Sequence, residues 1–287
     1  MDKNFYSPTM LVNYVNLKHF ITDEFGDEIL NLKKSERTIA ENLRFEKGLI
    51  HEKDYFNELS KKYKKIKNIK KLKDLPKEEK IKETIQALKN GYELVYGGWL
   101  ASGNWRGELD FLEINKTVKS NFGDWSYEII DTKNTSKVKK DHIYQISLYS
   151  FLLKEAQGIL PKNFYILLKD KKKEIVRISE VYDIFLEQKL SFENFVKNDL
   201  NKKKLEKVSY CSFRDLQEFC EKEWINKKHL NQVLGNNKNN IKRLNEAGIK
   251  NFSELSKLDP KKKIEGLKDE TKIKLINQAK LQIDAHT

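Results

Sequence analysis

The chain has 287 residues, of which 56 are Lys or Arg and 43 are Asp or Glu, so its formal charge is +13. Such an excess is typical of proteins that bind polyanions, although only six of the basic residues are Arg and a general preference for Lys explains it equally well. No apolar run approaches the roughly 18 residues of a membrane span, and no secretory pattern opens the chain. These features predict a soluble, cytoplasmic protein without a membrane partner.

Helices and strands alternate along the first 200 residues. Ser7 and Pro8 are typical of the start of a helix. Further helices are predicted at about 35–62, 77–89, 140–157 and 179–200, and strands at 92–100, 106–114, 125–133, 164–168 and 174–178. The first three strands should form an antiparallel meander, with the apolar helix at 140–157 buried against it. This order predicts an α/β fold with a mixed central sheet flanked by helices.

Three other segments bear on the organisation of the chain. Residues 61–73 hold eight lysines and no acid, which favours a solvated or disordered stretch over a basic rim beside nucleic acid. Gly48 lies inside a predicted helix, where Gly costs about 1 kcal/mol relative to Ala, so close packing against it is expected. After residue 200 we predict a linker over 201–234 and a small all-α unit over 235–287.

Two predicted strands carry carboxylates among apolar residues. By period-two alternation Asp110 points away from the face that carries Leu109 and Phe111, whereas Asp131 and Lys133 share one face. Hydrolysis of a phosphodiester needs a divalent ion that neutralises the phosphate and activates water, and Mg²⁺ prefers carboxylate oxygens. An ammonium group can orient or deprotonate that water, or stabilise charge on the phosphate. The alternative is a set of surface ion pairs, because Asp-x-Lys is frequent by chance.

The carboxylates belong to a longer pattern of four motifs in a fixed order. They are Gly48-x-x-His51-Glu52, Gly107-x-x-Asp110, Asp131-Thr132-Lys133 and Gln145-x-x-x-Tyr149. The last two residues are four apart on a helix and therefore share one face. In isolation they would be polar residues of a core helix, but beside the other motifs they are interpreted as the wall of a site.

Together the motifs resemble those of RecB-like nucleases of the PD-(D/E)xK superfamily, in particular bacterial RecB-family nucleases akin to the CRISPR-associated RecB-like exonucleases. The resemblance spans roughly residues 6–196. It implies a restriction-endonuclease-like core, Mg²⁺ or Mn²⁺ as cofactor, and nucleic acid, with DNA expected, as substrate. It also implies a role in DNA repair, recombination or defence, with exonuclease favoured over endonuclease activity.

The resemblance also assigns roles to individual residues. It implies a metal site made by a ring nitrogen, two carboxylates and a main-chain carbonyl, from His51, Asp110, Asp131 and Thr132. It implies that Lys133 serves the attacking water, and that Gln145 and Tyr149 contact the nucleic acid or brace the site. For His51 the alternative is a satisfied helix histidine.

Two cysteines mark a departure from the family. Many relatives hold an iron–sulfur cluster with four cysteines, and such a cluster needs all four thiolates. Cys211 and Cys220 match two of them, Arg214 stands at the third position, and Leu17 lies near the fourth. No cluster is therefore expected. Free thiols are favoured over a zinc site that would include His229.

The C-terminal stretch from Asn240 to Leu258 looks like a helix-hairpin-helix unit in which Gly248 permits the tight turn. Units of this kind bind backbone phosphates through main-chain N–H groups, and a helical cap that only packs is the alternative. Longer family members continue into a further nuclease domain, so a partner protein could supply a helicase or second nuclease activity.

Three functions remain in competition at this stage. The first is a metal-dependent nuclease, and the second is a non-catalytic nucleic-acid-binding protein that uses the basic surface and the hairpin unit. The third is an α/β scaffold in which Asp110, Asp131 and Lys133 form a structural ion network. The sequence favours the first, and leaves open DNA against RNA and single against double strands.

Overall fold

A computed structural model describes residues 5–17, 38–197, 221–222 and 224–284. Of these, residues 5–15 and 38–197 belong to one compact unit, and residues 16–17, 221–222 and 224–284 belong to a second. Within these ranges no helix combines the length and apolar character needed to cross a lipid bilayer.

The first unit contains one six-stranded mixed sheet. Its strands are β1 Ile66–Asn68, β2 Leu94–Ser102, β3 Trp105–Asn115, β4 Ser126–Lys133, β5 Asn163–Leu168 and β6 Lys173–Arg177. They lie side by side in chain order; β1 with β2 and β4 with β5 are parallel, and the other neighbours are antiparallel. The predicted mixed sheet and its antiparallel meander of β2, β3 and β4 are confirmed.

Helices flank this sheet, as predicted. They are α1 Pro8–Leu17, α2 Ile39–Lys62, α3 Lys77–Lys89, α4 Lys140–Gln157 and α5 Tyr182–Lys197. Helix α4 lies along β2, β3 and β4 and buries most of its apolar side chains. It ends at Gly158, whose φ of +78° is a left-handed conformation that Gly adopts without steric cost. The helix-period pattern therefore located the buried helix correctly.

Helix α2 packs on the sheet through aromatic residues. Phe56 stacks on Tyr96 with ring centroids 4.3 Å apart, and Tyr96 stacks on Phe111 at 5.0 Å. Leu59, Leu94 and Ile130 complete the buried part of this cluster. Because α2 is anchored here, its next turn towards the N-terminus is held over the central strands.

The lysine-rich stretch is ordered, so the disordered alternative was wrong, but most of its lysines are exposed, as a solvated stretch predicts. It forms β1 and a 3₁₀ turn over Ile69–Lys71. Its lysines find carboxylates on other elements: Lys62 lies 3.2 Å from Glu113, and Lys70 pairs with Glu52. These partners neutralise charge that the sequence shows only as a run of like sign.

The expectation of close packing at Gly48 was also wrong. A Cβ built at this position meets no atom of the described residues within 4 Å. Gly48 therefore brings no neighbour closer to α2, and the structure offers no packing reason for a glycine there.

The second unit is helical in its described part. Its helices are α6 Lys238–Glu246, α7 Phe252–Ser256 and α8 Asp269–Asp284. Gly248 has a φ of +89° in the turn after α6, as the hairpin prediction requires. Leu230 and Val233 lie in the buried core of this unit, so its packed region begins before residue 235. The predicted free thiols, Cys211 and Cys220, lie outside the described residues.

Candidate active site

Strands β3 and β4 separate from each other at two carboxylates. Their antiparallel register ends at the pair Phe111 and Ile130. The next residues beyond that pair are Asp110 and Asp131. From there β3 continues beside β2, and β4 continues beside β5 as far as Lys133. We call this divergence the fork, and it brings together the two carboxylates that the sequence singled out.

Asp110 bridges the fork with its side chain. Its Oδ2 accepts one hydrogen bond from the Thr132 main-chain N–H at 2.8 Å and another from the Thr132 hydroxyl at 2.7 Å. A backbone N–H at a strand divergence lacks a ladder partner and needs another acceptor. The Asp110 carboxylate supplies that acceptor and is held in one orientation.

Asp131 and Lys133 form a buried ion pair on β4. Asp131 is 1% exposed, and its Oδ2 lies 2.6 Å from the Lys133 ammonium nitrogen. Apart from this ion pair, that oxygen meets no hydrogen-bonding group in the described part of the chain. Burial raises the pKa of Asp131 and outweighs the opposing effect of Lys133. For Lys133, burial lowers the pKa, but the charges of Asp131 and Asp110 outweigh it and raise the pKa overall.

Two glutamates and a second lysine complete the site. Glu52 of α2 is 7% exposed and pairs with Lys70 of the 3₁₀ turn, whose ammonium group lies 3.8 Å from Glu108. Burial lowers the pKa of Lys70, and the charges of Glu52, Asp110 and Glu108 raise it by more. We call Glu52, Glu108, Asp110 and Asp131 the carboxylate cluster. With Lys70 and Lys133 it carries two negative charges in excess when all six groups are ionised.

The His51 side chain is directed towards β5 and not towards the carboxylate cluster that contains its neighbour Glu52. Its Nε2 lies 3.3 Å from the Leu167 carbonyl oxygen on β5, where the ring donates in the tautomer protonated at Nε2. Successive residues of a helix point about 100° apart, so His51 and Glu52 cannot both face the fork directly. Glu52 is therefore an alternative to His51 as a metal ligand. The sequence analysis did not propose Glu52 for this role.

Tyr149 and Gln145 of α4 meet in the site, as their spacing predicts. The Gln145 side-chain amide donates to the Tyr149 hydroxyl at 3.0 Å, which leaves the hydroxyl proton unused by that bond. Burial and then the charge of Asp131 raise the pKa of Tyr149, so it remains a neutral donor. The ring lies against Gly107 of β3, where a Cβ would fall 2.6 Å from the ring atom Cε1.

We predict that Gly107→Ala displaces the Tyr149 ring and lowers the free energy of unfolding by about 1–3 kcal/mol, as overpacking does. The cost should shrink in a Tyr149→Leu background, because the smaller side chain leaves room for the methyl group. Urea denaturation of the two single variants and the double variant measures this coupling. Purely additive costs would contradict the contact.

His142 begins the buried helix beside Lys133. Its Nδ1 accepts a hydrogen bond from the Lys139 main-chain N–H at 3.2 Å, which requires that nitrogen to be unprotonated. Burial, and then the positive charge of Lys133, lower the pKa of His142 from 6.5 to about 4. The neutral ring therefore satisfies a free donor at the start of α4.

This titration predicts a loss of stability in acid. Above pH 6.5 the ring is neutral in both states, whereas between pH 6.5 and about 4 the unfolded chain binds a proton that the folded chain does not. Between pH 7 and 4.5 the wild type should lose about 1–2 kcal/mol more than His142→Gln, whose amide keeps an acceptor without titrating. Denaturation at the two pH values tests this, and parallel losses in both proteins would contradict it.

The donor set suits a hard divalent cation. Among the described residues, no three His, Cys, Asp or Glu side chains are already arranged as a metal site. The ammonium groups of Lys70 and Lys133 lie against the carboxylates instead. The buried Asp131 carboxylate, the second carboxylate across the fork and the excess negative charge offer oxygen donors of the kind that Mg²⁺ or Mn²⁺ prefers. Asp110, Asp131 and Glu52 are the residues that could hold it.

Comparison with known proteins adds no relative to this description. Neither a protein-family model nor a curated protein matches the chain. The assignment of a function therefore depends on the geometry of the fork and of the carboxylate cluster.

Proposed function

We propose that this chain is a metal-dependent nuclease that hydrolyses phosphodiester bonds of nucleic acid, with DNA as the expected substrate. The fork supports the proposal most directly. It aligns Asp110 and Asp131 beside Lys133, with Asp131 Oδ2 buried against the Lys133 ammonium group. The order of the motifs, which resembles that of RecB-like nucleases of the PD-(D/E)xK superfamily, agrees with this proposal.

The carboxylates and Lys133 have different roles in the proposed reaction. Asp110, Asp131 and Glu52 would hold a divalent cation, with the Thr132 carbonyl as a further oxygen donor. When bound, the cation supplies charge neutralisation at the phosphate and a more acidic water. Because the pKa of Lys133 is raised, its ammonium group stays protonated and acts by orienting the water or stabilising charge on the phosphate.

Tyr149 and Gln145 supply neutral donors from helix α4. The pKa of Tyr149 is raised by burial, so its hydroxyl keeps its proton and can donate to a phosphate oxygen or to a carboxylate. Gln145 fixes the position of that hydroxyl. These two side chains therefore brace the site. Cation binding falls to the carboxylates, and the stabilisation of charge on the phosphate falls to Lys133.

The test is cleavage of end-labelled single-stranded, duplex and circular DNA, and of matched RNA, in Mg²⁺, Mn²⁺ or EDTA. We expect cleavage in Mg²⁺ and Mn²⁺ and none in EDTA, and the circular substrate separates endonuclease from exonuclease activity. Binding without cleavage under every condition would favour a non-catalytic nucleic-acid-binding protein, the candidate supported by the net charge of +13. A cytoplasmic location, a role in repair, recombination or defence, a helicase or nuclease partner, and phosphate binding by the turn at Gly248 belong to the same proposal.

A further inference from the structure

A cleft of about 300 Å³ opens beside the carboxylate cluster. Its lining combines a tryptophan, lysines and one glutamate: Ile69, Lys70, Lys73, Lys80, Gly97, Trp99 and Glu108. Glu108 belongs to the carboxylate cluster, and Lys70 pairs with two of its members. The cleft and the cluster therefore share a wall.

Trp99 gives the cleft an aromatic surface that polar groups can reach. The ammonium group of the exposed Lys77 lies 5.3 Å from the centroid of the indole ring. The ring is thus approached by a solvated cation rather than enclosed by core side chains. Gly97 contributes no side chain to this wall, and the stem of Lys70 occupies the space that a Cβ at this position would need.

Lysines surround the aromatic surface. Lys73 and Lys77 are exposed, and Lys80 is half-buried with its ammonium group 3.2 Å from the Lys73 carbonyl oxygen, to which it donates. A small anion would need the lysines but not the indole, and an apolar ligand would need the indole but not the lysines. An aromatic base joined to phosphates uses both, and stacking on aromatic side chains is how proteins bind unpaired bases.

We propose that this cleft is a subsite for one unpaired nucleobase of a nucleic-acid strand, stacked on Trp99 with its phosphates at Lys73 and Lys77. In a duplex each base is already stacked and paired, so the subsite selects single strands or frayed ends. The inference rests on the proposed function, because the same strand continues from the subsite to the carboxylate cluster.

The experiment measures fluorescence anisotropy of labelled oligothymidine, oligouridine and a matched duplex in EDTA, where no metal-dependent cleavage occurs. Wild type should bind both single strands more tightly than the duplex, and the two single strands separate DNA from RNA preference. Trp99→Ala should weaken single-strand binding by at least about tenfold, whereas Trp99→Phe should keep most of the affinity. Binding should also quench tryptophan fluorescence in wild type but much less in Trp99→Phe.

Two further variants keep the result interpretable. Trp125, whose indole N–H donates to the Leu88 carbonyl oxygen at 3.1 Å, lines no part of the cleft, so Trp125→Phe should retain binding and quenching. Lys73→Glu reverses one charge at an exposed position and should weaken binding without lowering the melting temperature. Unchanged affinity in both Trp99→Ala and Lys73→Glu, or equal affinity for an oligoglutamate peptide, would overturn the subsite.

The subsite and the nuclease proposal fail in different ways. Single-strand binding that depends on Trp99, without cleavage in any metal, would contradict the nuclease proposal and support the subsite. Cleavage in Mg²⁺, together with single-strand binding that does not change when Trp99 is replaced, would support the nuclease and contradict the subsite.

Discussion

Lys133→Met should lower the rate of nucleic-acid cleavage by about 10²- to 10³-fold, the usual cost of losing one group that stabilises charge in the transition state. Met matches the length of the lysine stem but carries no ammonium group. Binding of oligonucleotide in EDTA should persist, because the phosphates meet other lysines. Single-turnover cleavage in Mg²⁺ measures the effect, and a variant that cuts at the wild-type rate would remove Lys133 from the chemistry.

The same substitution has a structural cost that needs its own control. It leaves Asp131 buried without its ion-pair partner, so the pKa of that carboxyl should rise further and the melting temperature should fall. Lys189 is a matched control, since it is also largely buried and lies 2.8 Å from a carboxylate oxygen of Glu193. Lys189→Met should lose stability but keep the cleavage rate measured below its melting temperature.

Asp110→Asn should stabilise the metal-free protein and remove its stabilisation by divalent cations. An Asn oxygen can still accept from the Thr132 N–H and hydroxyl, while one negative charge of the carboxylate cluster disappears. Relief of such like-charge repulsion at an active site commonly adds about 0.5–2 kcal/mol. In wild type, Mg²⁺ at a hundred times its Kd should add about 2.7 kcal/mol by mass action, and most of this gain should be lost in the variant.

Melting curves with and without Mg²⁺ measure both effects. The control is Asp124→Asn, which removes a carboxylate that is 81% exposed and pairs only with Lys119 in the described part of the chain. This control should leave both the metal-free stability and the Mg²⁺ response unchanged. Equal Mg²⁺ stabilisation of wild type and Asp110→Asn would mean that the cation binds elsewhere in the protein.

The sequence predicted the fold through its strongest periodicities. Helix α4 has the predicted ends, and β2 to β6 lie within a few residues of the predicted strands, because long alternating or helix-period segments leave little ambiguity. Strand β1 was missed because only three residues, Ile66–Asn68, form it within a lysine run. Its order comes from partners far along the chain, such as Glu93, whose carboxylate accepts from the N–H groups of Lys64 and Lys65.

The site was predicted in part, for reasons that individual residues make clear. Alternation on a strand placed Asp131 with Lys133, and helical spacing placed Gln145 with Tyr149, because both relations are local. The choice between His51 and Glu52 depends on the rotation of α2 about its axis, which Phe56 and its partners on the sheet set. Lys70 belongs to a different element from every carboxylate that it meets, so no local pattern could indicate it.

Asp110 has a double duty that bears on how such a chain could change over generations. Its carboxylate both belongs to the proposed chemistry and satisfies the backbone where the fork opens. Replacement by a residue without an acceptor, such as Ala, would leave the Thr132 N–H unpaired. The variant protein would lose stability as well as activity. A descendant protein that has lost catalysis should therefore tolerate Asn at this position. Substitution of Lys133 would inactivate the site without removing the hydrogen bond between Asp110 and the Thr132 backbone.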